Sequence, residues 1–232
     1  KVTRIINPGT NIETSKAALQ MATQFTSVSA AVGIHPNEDL DLDKATLRQL
    51  RTLSSHPNVV AIGEIGLDYF RNITPPDKQK HRFRMQLDLA SELGLPVIVH
   101  CRDAYEDTIN IISEWQSSMG VKPNSGVFHS FSGLKNHANT IIEKGFYIGV
   151  TGSITFNKSD NLRDIVAGLP LTHILIETDA PFLSPQPNRG KRNEPAFVRW
   201  VADKIAEIKS VTVNEVASSS TQNAKILFGW NN

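Results

Sequence analysis

Seven short runs rich in β-branched residues recur along the chain, each closing on a small or polar turn. They are Val2–Asn7, Val28–His35, Val59–Asp68, Leu95–Arg102, Gly126–Phe131, Phe146–Gly152 and His173–Asp179. Their starts lie 20 to 36 residues apart, the length of a strand plus a crossover helix. The intervals carry helical periodicity. Asp77–Leu93 sets Phe83, Leu87 and Ala90 on one face and stops at Gly94. Glu194–Lys209 repeats Phe197, Val201, Ile205 and Ile208, and Thr212-x-x-Glu215 is a capping-box signature for a last helix that ends near Gly229. Alternation of this kind, with no linker-like stretch, predicts one α/β domain over residues 1–232 built on a parallel sheet.

Size and composition allow that architecture and narrow the alternatives. At 232 residues the chain can bury roughly 70–75% of its unfolded surface, so its core needs no staples. The single cysteine, Cys101, excludes an internal disulfide and suits a reducing compartment. No apolar run reaches the roughly 18 residues of a spanning helix. A cytoplasmic protein without a membrane partner is expected. Lys and Arg number 24 against 23 Asp and Glu, a formal charge of +1, so any polyanion must be met by a local basic cluster.

Seven parallel strands fit either an open doubly wound sheet or most of an eight-stranded barrel. The open dinucleotide-binding sheet requires G-x-G-x-x-G after its first strand, and Asn7-Pro8-Gly9-Thr10 does not supply it. A TIM-type barrel predicts instead that chemistry collects at the C-terminal ends of several strands. Five of the seven runs carry a metal-type ligand toward that end: His35, Glu64, His100, His129 and Asp179.

Alternation along a strand sets residues two apart on one face. His100 then aligns with Ile98 and Arg102, with Cys101 turned to the helix layer as a buried small hydrophobe. Likewise His129 aligns with Val127 and Phe131, Glu64 with Ile62 and Asp68, and Asp179 with Glu177 and Leu175. Mixed imidazole and carboxylate ligands suit Zn, Mn, Fe or Co, and Mg with more water. Two such ions about 3.5–4 Å apart activate a water and clamp the attacking and leaving oxygens of a hydrolysis. Glu64 is a carboxylate able to bridge them, and Asp179 one able to serve as both ligand and proton acceptor. Taken singly, His35 or His129 reads more readily as a partly buried structural histidine, and Asp179 before Ala-Pro as turn chemistry. Five strand ends together outweigh five separate explanations.

Around this constellation, Arg102 is a candidate phosphate ligand, with a structural ion pair the alternative. Arg189, Lys191 and Arg192 form the only dense basic cluster, on the loop after the Asp179 strand. Phe70 and Trp200 read as core or rim packing, with base stacking the alternative.

The motifs Gly63-Glu64-Ile65-Gly66-Leu67-Asp68-Tyr69, Val99-His100-Cys101-Arg102, Phe128-His129-Ser130-Phe131-Ser132-Gly133 and Glu177-Thr178-Asp179-Ala180-Pro181 follow in order. With Arg189-Gly190-Lys191-Arg192-Asn193-Glu194-Pro195 they resemble the TatD family of metal-dependent deoxyribonucleases across essentially the whole chain. The resemblance implies an amidohydrolase-type eight-stranded barrel holding two divalent metals (Mg, Mn or Zn) and acting on DNA phosphodiesters, some members as 3′–5′ exonucleases on single strands. It implies Glu64 as the bridging ligand, His100 and His129 as ligands of one metal and Asp179 as the carboxylate of the other. His35, in the family's G-I-H-P stretch, would touch substrate or water, and Arg102, Arg189, Lys191 and Arg192 would hold phosphates. Asp68 and Glu177 would orient the histidine ligands. Single-stranded DNA is the expected partner and a monomer the expected state.

One feature departs from the family pattern. The family's first strand carries a His-x-His pair, and no His-x-His occurs in this sequence. The expectation is a TIM-type barrel whose first strand is missing from this chain, with one metal weakly held or absent. Two rival readings share these residues: a barrel hydrolase of a small ester, lactone or amide, and an inactive scaffold that binds nucleic acid or protein.

Overall fold

A computed structural model describes residues 2–40, 42–119 and 125–230. Seven strands alternate with helices along them: β1 (Ile5–Pro8), α1 (Ile12–Gln24), β2 (Val28–Val32), α2 (Lys44–Ser54), β3 (Val59–Asp68), α3 (Pro76–Leu93), β4 (Val97–Arg102), α4 (Tyr105–Met119), β5 (Gly126–Phe128), α5 (Lys135–Glu143), β6 (Phe146–Val150), α6 (Asp160–Gly168), β7 (Ile174–Ile176), α7 (Val198–Lys209) and α8 (Val213–Phe228). This is the α/β alternation expected, and no eighth strand lies among the described residues. The described residues group into two compact units, Thr3–Gly126 and a second that takes in Val2 and the chain from Val127 onward.

In the first unit β1, β2, β3 and β4 pair in parallel in that order. Ala30, Ala31, Ile62, Ile65, Leu67, Val97 and Val99 are fully buried, as a parallel sheet covered on its faces requires. The stripe of α3 read from the sequence is its buried face: Phe83, Leu87 and Ala90 are all inaccessible, and Gly94 ends the helix in the left-handed conformation. The β3–β4 register shifts between Ile62 and Ile65, a bulge that contains Glu64. Further along, Gly66 has φ of +141°, and a Cβ there would meet the His100 carbonyl oxygen at 2.0 Å. Glycine is required where β3 passes that close to β4.

The second unit pairs β6 with β7 in parallel, and the Phe131 N–H reaches the Gly149 carbonyl at 3.0 Å beyond the end of β5. Phe128 and Phe146 meet edge to face at 5.6 Å over a core that includes Ile148, Val150, Ile174, Val201 and Ile205. The capping box Thr212/Glu215 opens α8, and Gly229 closes it in the left-handed conformation. The helix expected over Glu194–Lys209 begins later, at Val198, after a single 3₁₀ turn at Pro195–Phe197. The strand expected over His173–Asp179 is shorter too. β7 ends at Ile176, so Asp179 lies three residues past it with φ of +56°. Strand alternation therefore does not aim Asp179; the turn does. Asp is among the few side chains that accept that backbone readily.

Candidate metal centre

The strand ends of the first unit deliver three potential ligands to one point. His35 from the segment after β2, Glu64 from the β3 bulge and His100 from β4 each offer a ligand atom within 4.8 Å of the others. Glu64 is buried, and both histidines are partly so. The His35 and His100 rings meet edge to face at 4.4 Å. Glu64 Oε1 lies 2.9 Å from His100 Nδ1 and 3.5 Å from His35 Nε2.

The remaining ring nitrogens show that the two histidines are prepared differently. His100 Nε2 lies 3.0 Å from Asp68 Oδ2, and a carboxylate there draws the ring proton to Nε2. In the neutral ring Nδ1 then carries a lone pair aimed at Glu64. A lone pair facing a carboxylate is repulsive unless a cation or a proton lies between them. The 2.9 Å between these two atoms is a spacing that ligands of one ion adopt with bonds of about 2.1 Å. His35 has the opposite arrangement. Its Nδ1 accepts the Asn37 N–H at 3.0 Å, so neutral His35 carries its proton on Nε2 and presents a donor toward Glu64. Glu64 and His100 fit a divalent metal as they stand, while His35 fits an acceptor on substrate or water.

Asp68, expected to orient a histidine ligand, faces His100. It is 1% exposed. Burial alone pushes its carboxyl up; hydrogen bonds from His100, the Arg71 N–H and the Asn37 amide outweigh that and hold it well below the usual carboxylate range. Cys101 faces α4, where its thiol lies 3.3 Å from Thr108 Oγ1, and burial pushes it up to about 12. It is a packing residue, as expected.

Helix α3 holds this cluster in place through groups that sequence reasoning passed over. Gln79, Arg82 and Gln86 are buried, and all three grip backbone of the strand-end loops. Gln79 accepts the Asp68 N–H at 2.8 Å and donates to the Asp68 carbonyl at 3.0 Å. Arg82 donates to the carbonyls of Pro36 and Leu40, each at 2.8 Å. Gln86 pairs with both backbone groups of Ile34, next to His35. Their only sequence signal is the i, i+3, i+7 spacing of polar residues beside an apolar stripe.

In the second unit His129 follows β5 directly, and its Nδ1 lies 3.5 Å from Glu177 Oε1. Glu177 also accepts the Ser130 N–H, and its carboxylate covers Gly149, where a Cβ would come within 2.8 Å of both oxygens. Glu177, expected to orient a histidine ligand, therefore stands next to His129. Arg189, Lys191 and Arg192 are exposed, with the Arg189 guanidinium 3.9 Å over the Phe156 ring. Buried Asn193 ties their loop down, donating to the carbonyls of Thr178 at 2.8 Å and Phe182 at 2.6 Å.

The family model described as "TatD related DNase" matches residues 1–229. The chain belongs to the TatD-related DNase family. It is therefore a metal-dependent hydrolase of ester bonds. The uncharacterized metal-dependent hydrolase YabD of Bacillus subtilis strain 168 is 42% identical over 231 residues, covering 100% of this chain and 89% of that protein. The 3′-5′ ssDNA/RNA exonuclease TatD of Erwinia amylovora is 37% identical over 227 residues, covering 95% and 86%. The crystal structure of the Escherichia coli TatD homologue YjjV superposes with a TM-score of 0.91 at 31% identity, covering 99% of this chain and 87% of that one. The expected TIM-like amidohydrolase fold is thus borne out. No helix among the described residues is long and apolar enough to cross a membrane.

Proposed function

We propose that this TatD-family hydrolase is a nuclease that removes nucleotides from the 3′ end of single-stranded DNA, working as a single domain over residues 1–232. The observation that carries the reading is the placement of His100 between Glu64 on one ring nitrogen and Asp68 on the other, which holds the ring and favours the tautomer that a metal ligand needs. The names of exonuclease relatives at 34–37% identity support nucleic acid as the substrate.

The proposal assigns metal-holding roles to Glu64, His100, His129 and Asp179, with two divalent ions (Mg, Mn or Zn). Bound there, such ions would polarise the phosphodiester and lower the pKa of a water. Asp68 keeps the His100 proton on Nε2, and Glu177 orients His129. His35 offers its Nε2–H to a substrate oxygen. Asp179 takes the proton of the attacking water. Arg102, Arg189, Lys191 and Arg192 hold phosphates on the flanking strand.

The test is digestion of single-stranded oligonucleotides labelled at either end, with Mg, Mn or Zn and with EDTA. Metal-dependent shortening from the 3′ end, falling steeply with salt and abolished by His100→Ala or His129→Ala, is the expected result. Esterase turnover indifferent to salt, or full nuclease activity in either variant, overturns the assignment.

A further inference from the structure

Phe70 is 61% exposed although the turn that carries it is held by hydrogen bonds on both sides. On its N-terminal side Tyr69 donates its N–H to the Arg102 carbonyl at 2.9 Å and its hydroxyl to Asp107 at 2.7 Å. On its C-terminal side the Arg71 N–H is held by Asp68 at 2.9 Å. The backbone that carries Phe70 is fixed on both sides, yet its ring is left in water. A large aromatic held exposed on fixed backbone is open to a ligand.

Over one face of the ring stands Arg102, its guanidinium carbon 4.1 Å from the ring centroid. Asp68 and Arg102 are register partners on β3 and β4, so Phe70 lies two residues beyond Asp68, and Arg102 two residues beyond His100. The ring thus carries a cation over one face and remains 61% exposed, two residues beyond Asp68. Every nucleobase has a π-face and every nucleotide a phosphate, and this pair offers a partner to each.

We propose that Phe70 and Arg102 form a stacking subsite that takes one unpaired nucleobase of the substrate strand on the Phe70 ring, with Arg102 on the phosphate beside it. The proposal rests on the nuclease reading above. A base inside a duplex is already stacked on both faces, so the subsite selects single strands.

The test compares two fluorescein-labelled single strands in EDTA, an oligothymidylate and an all-abasic strand of the same length, by anisotropy with the full chain. Wild type is expected to prefer the base-bearing strand. Phe70→Ala weakens its binding about tenfold and leaves the abasic strand within about twofold, while Phe70→Trp keeps the preference. With metal present, Phe70→Ala raises KM on the oligothymidylate with kcat little changed. Thermal unfolding of both variants at the wild-type temperature excludes a folding defect. A wild type that binds both strands equally, or a Phe70→Ala that keeps the preference, overturns the subsite and leaves the nuclease reading standing. A wild type that neither binds nor cleaves any single strand overturns both.

Discussion

Gln86 closes both ends of its side-chain amide on the backbone of Ile34: Oε1 accepts the Ile34 N–H at 2.7 Å, and Nε2 donates to the Ile34 carbonyl at 3.1 Å. Both residues are buried, so no water substitutes for the clamp. The next residue is His35. A helix side chain thereby fixes the backbone that aims an imidazole at Glu64, and the same helix fixes Asp68 through Gln79.

Gln86→Leu preserves the side chain's volume and strands two buried backbone groups. Unfolding in urea is expected to show a loss of about 1–3 kcal/mol, and kcat should fall further than stability alone explains because His35 loses its anchor. Wild-type kcat in a destabilised Gln86→Leu would separate the clamp from the chemistry.

Asp68→Ala removes the carboxylate that keeps the His100 proton on Nε2. Metal affinity measured by calorimetry with Zn or Mn is expected to drop about 10–100-fold. Asp68→Asn, whose amide oxygen still accepts from Nε2, should lie between Asp68→Ala and wild type. Unchanged affinity in Asp68→Ala would remove Asp68 from the centre.

Much of this arrangement was legible before the fold, and the physical reasons for the rest are specific. β3 runs over Val59–Asp68 as the sequence predicts, and Phe83, Leu87 and Ala90 form the buried stripe of α3, because periodicity reports burial directly. His35, His129 and Asp179 all fall beyond the ends of their strands. Alternation says nothing past the last ladder bond, so turn geometry sets their aim. Gln79, Arg82 and Gln86 carry no clear signal because the strand-end partners they hold are backbone carbonyls and amides 11 to 52 residues away, and only short-range patterns such as the capping box record a backbone partner. For Phe70, core or rim packing and base stacking are all open from the sequence, and its 61% exposure removes only the core.

Asp107 gives a pH dependence with a definite sign. Lys80 at 2.8 Å and the Tyr69 hydroxyl at 2.7 Å hold its carboxyl below the ordinary aspartate value. A depressed folded-state pKa contributes stability that is present above the unfolded value of about 3.9 and is lost as pH falls through the folded one. Asp107→Asn should therefore be less stable than wild type in urea at neutral pH, and the difference should close below about pH 4. A gap that persists in acid would mean that packing, not charge, makes the contribution.

Asn193 sits between the basic loop and the turn that carries Asp179, and its bonds make the two depend on each other. Its amide donates to the carbonyls of Thr178 and Phe182, its N–H reaches the Pro181 carbonyl at 3.1 Å, and its Oδ1 accepts the Glu194 N–H at 2.9 Å. Asn193→Ala leaves the two carbonyls without their amide partner and frees a segment whose Asp179 has φ of +56°. A small misplacement of a catalytic group costs about a hundredfold in rate, so kcat on a single-stranded oligonucleotide should fall by about that factor. Arg192→Gln, by contrast, removes one exposed cation and should raise KM and lower the salt slope by about one, with kcat nearly kept. If Asn193→Ala instead shifts KM alone, the residue serves only the basic loop, and the Asp179 turn holds its shape without it.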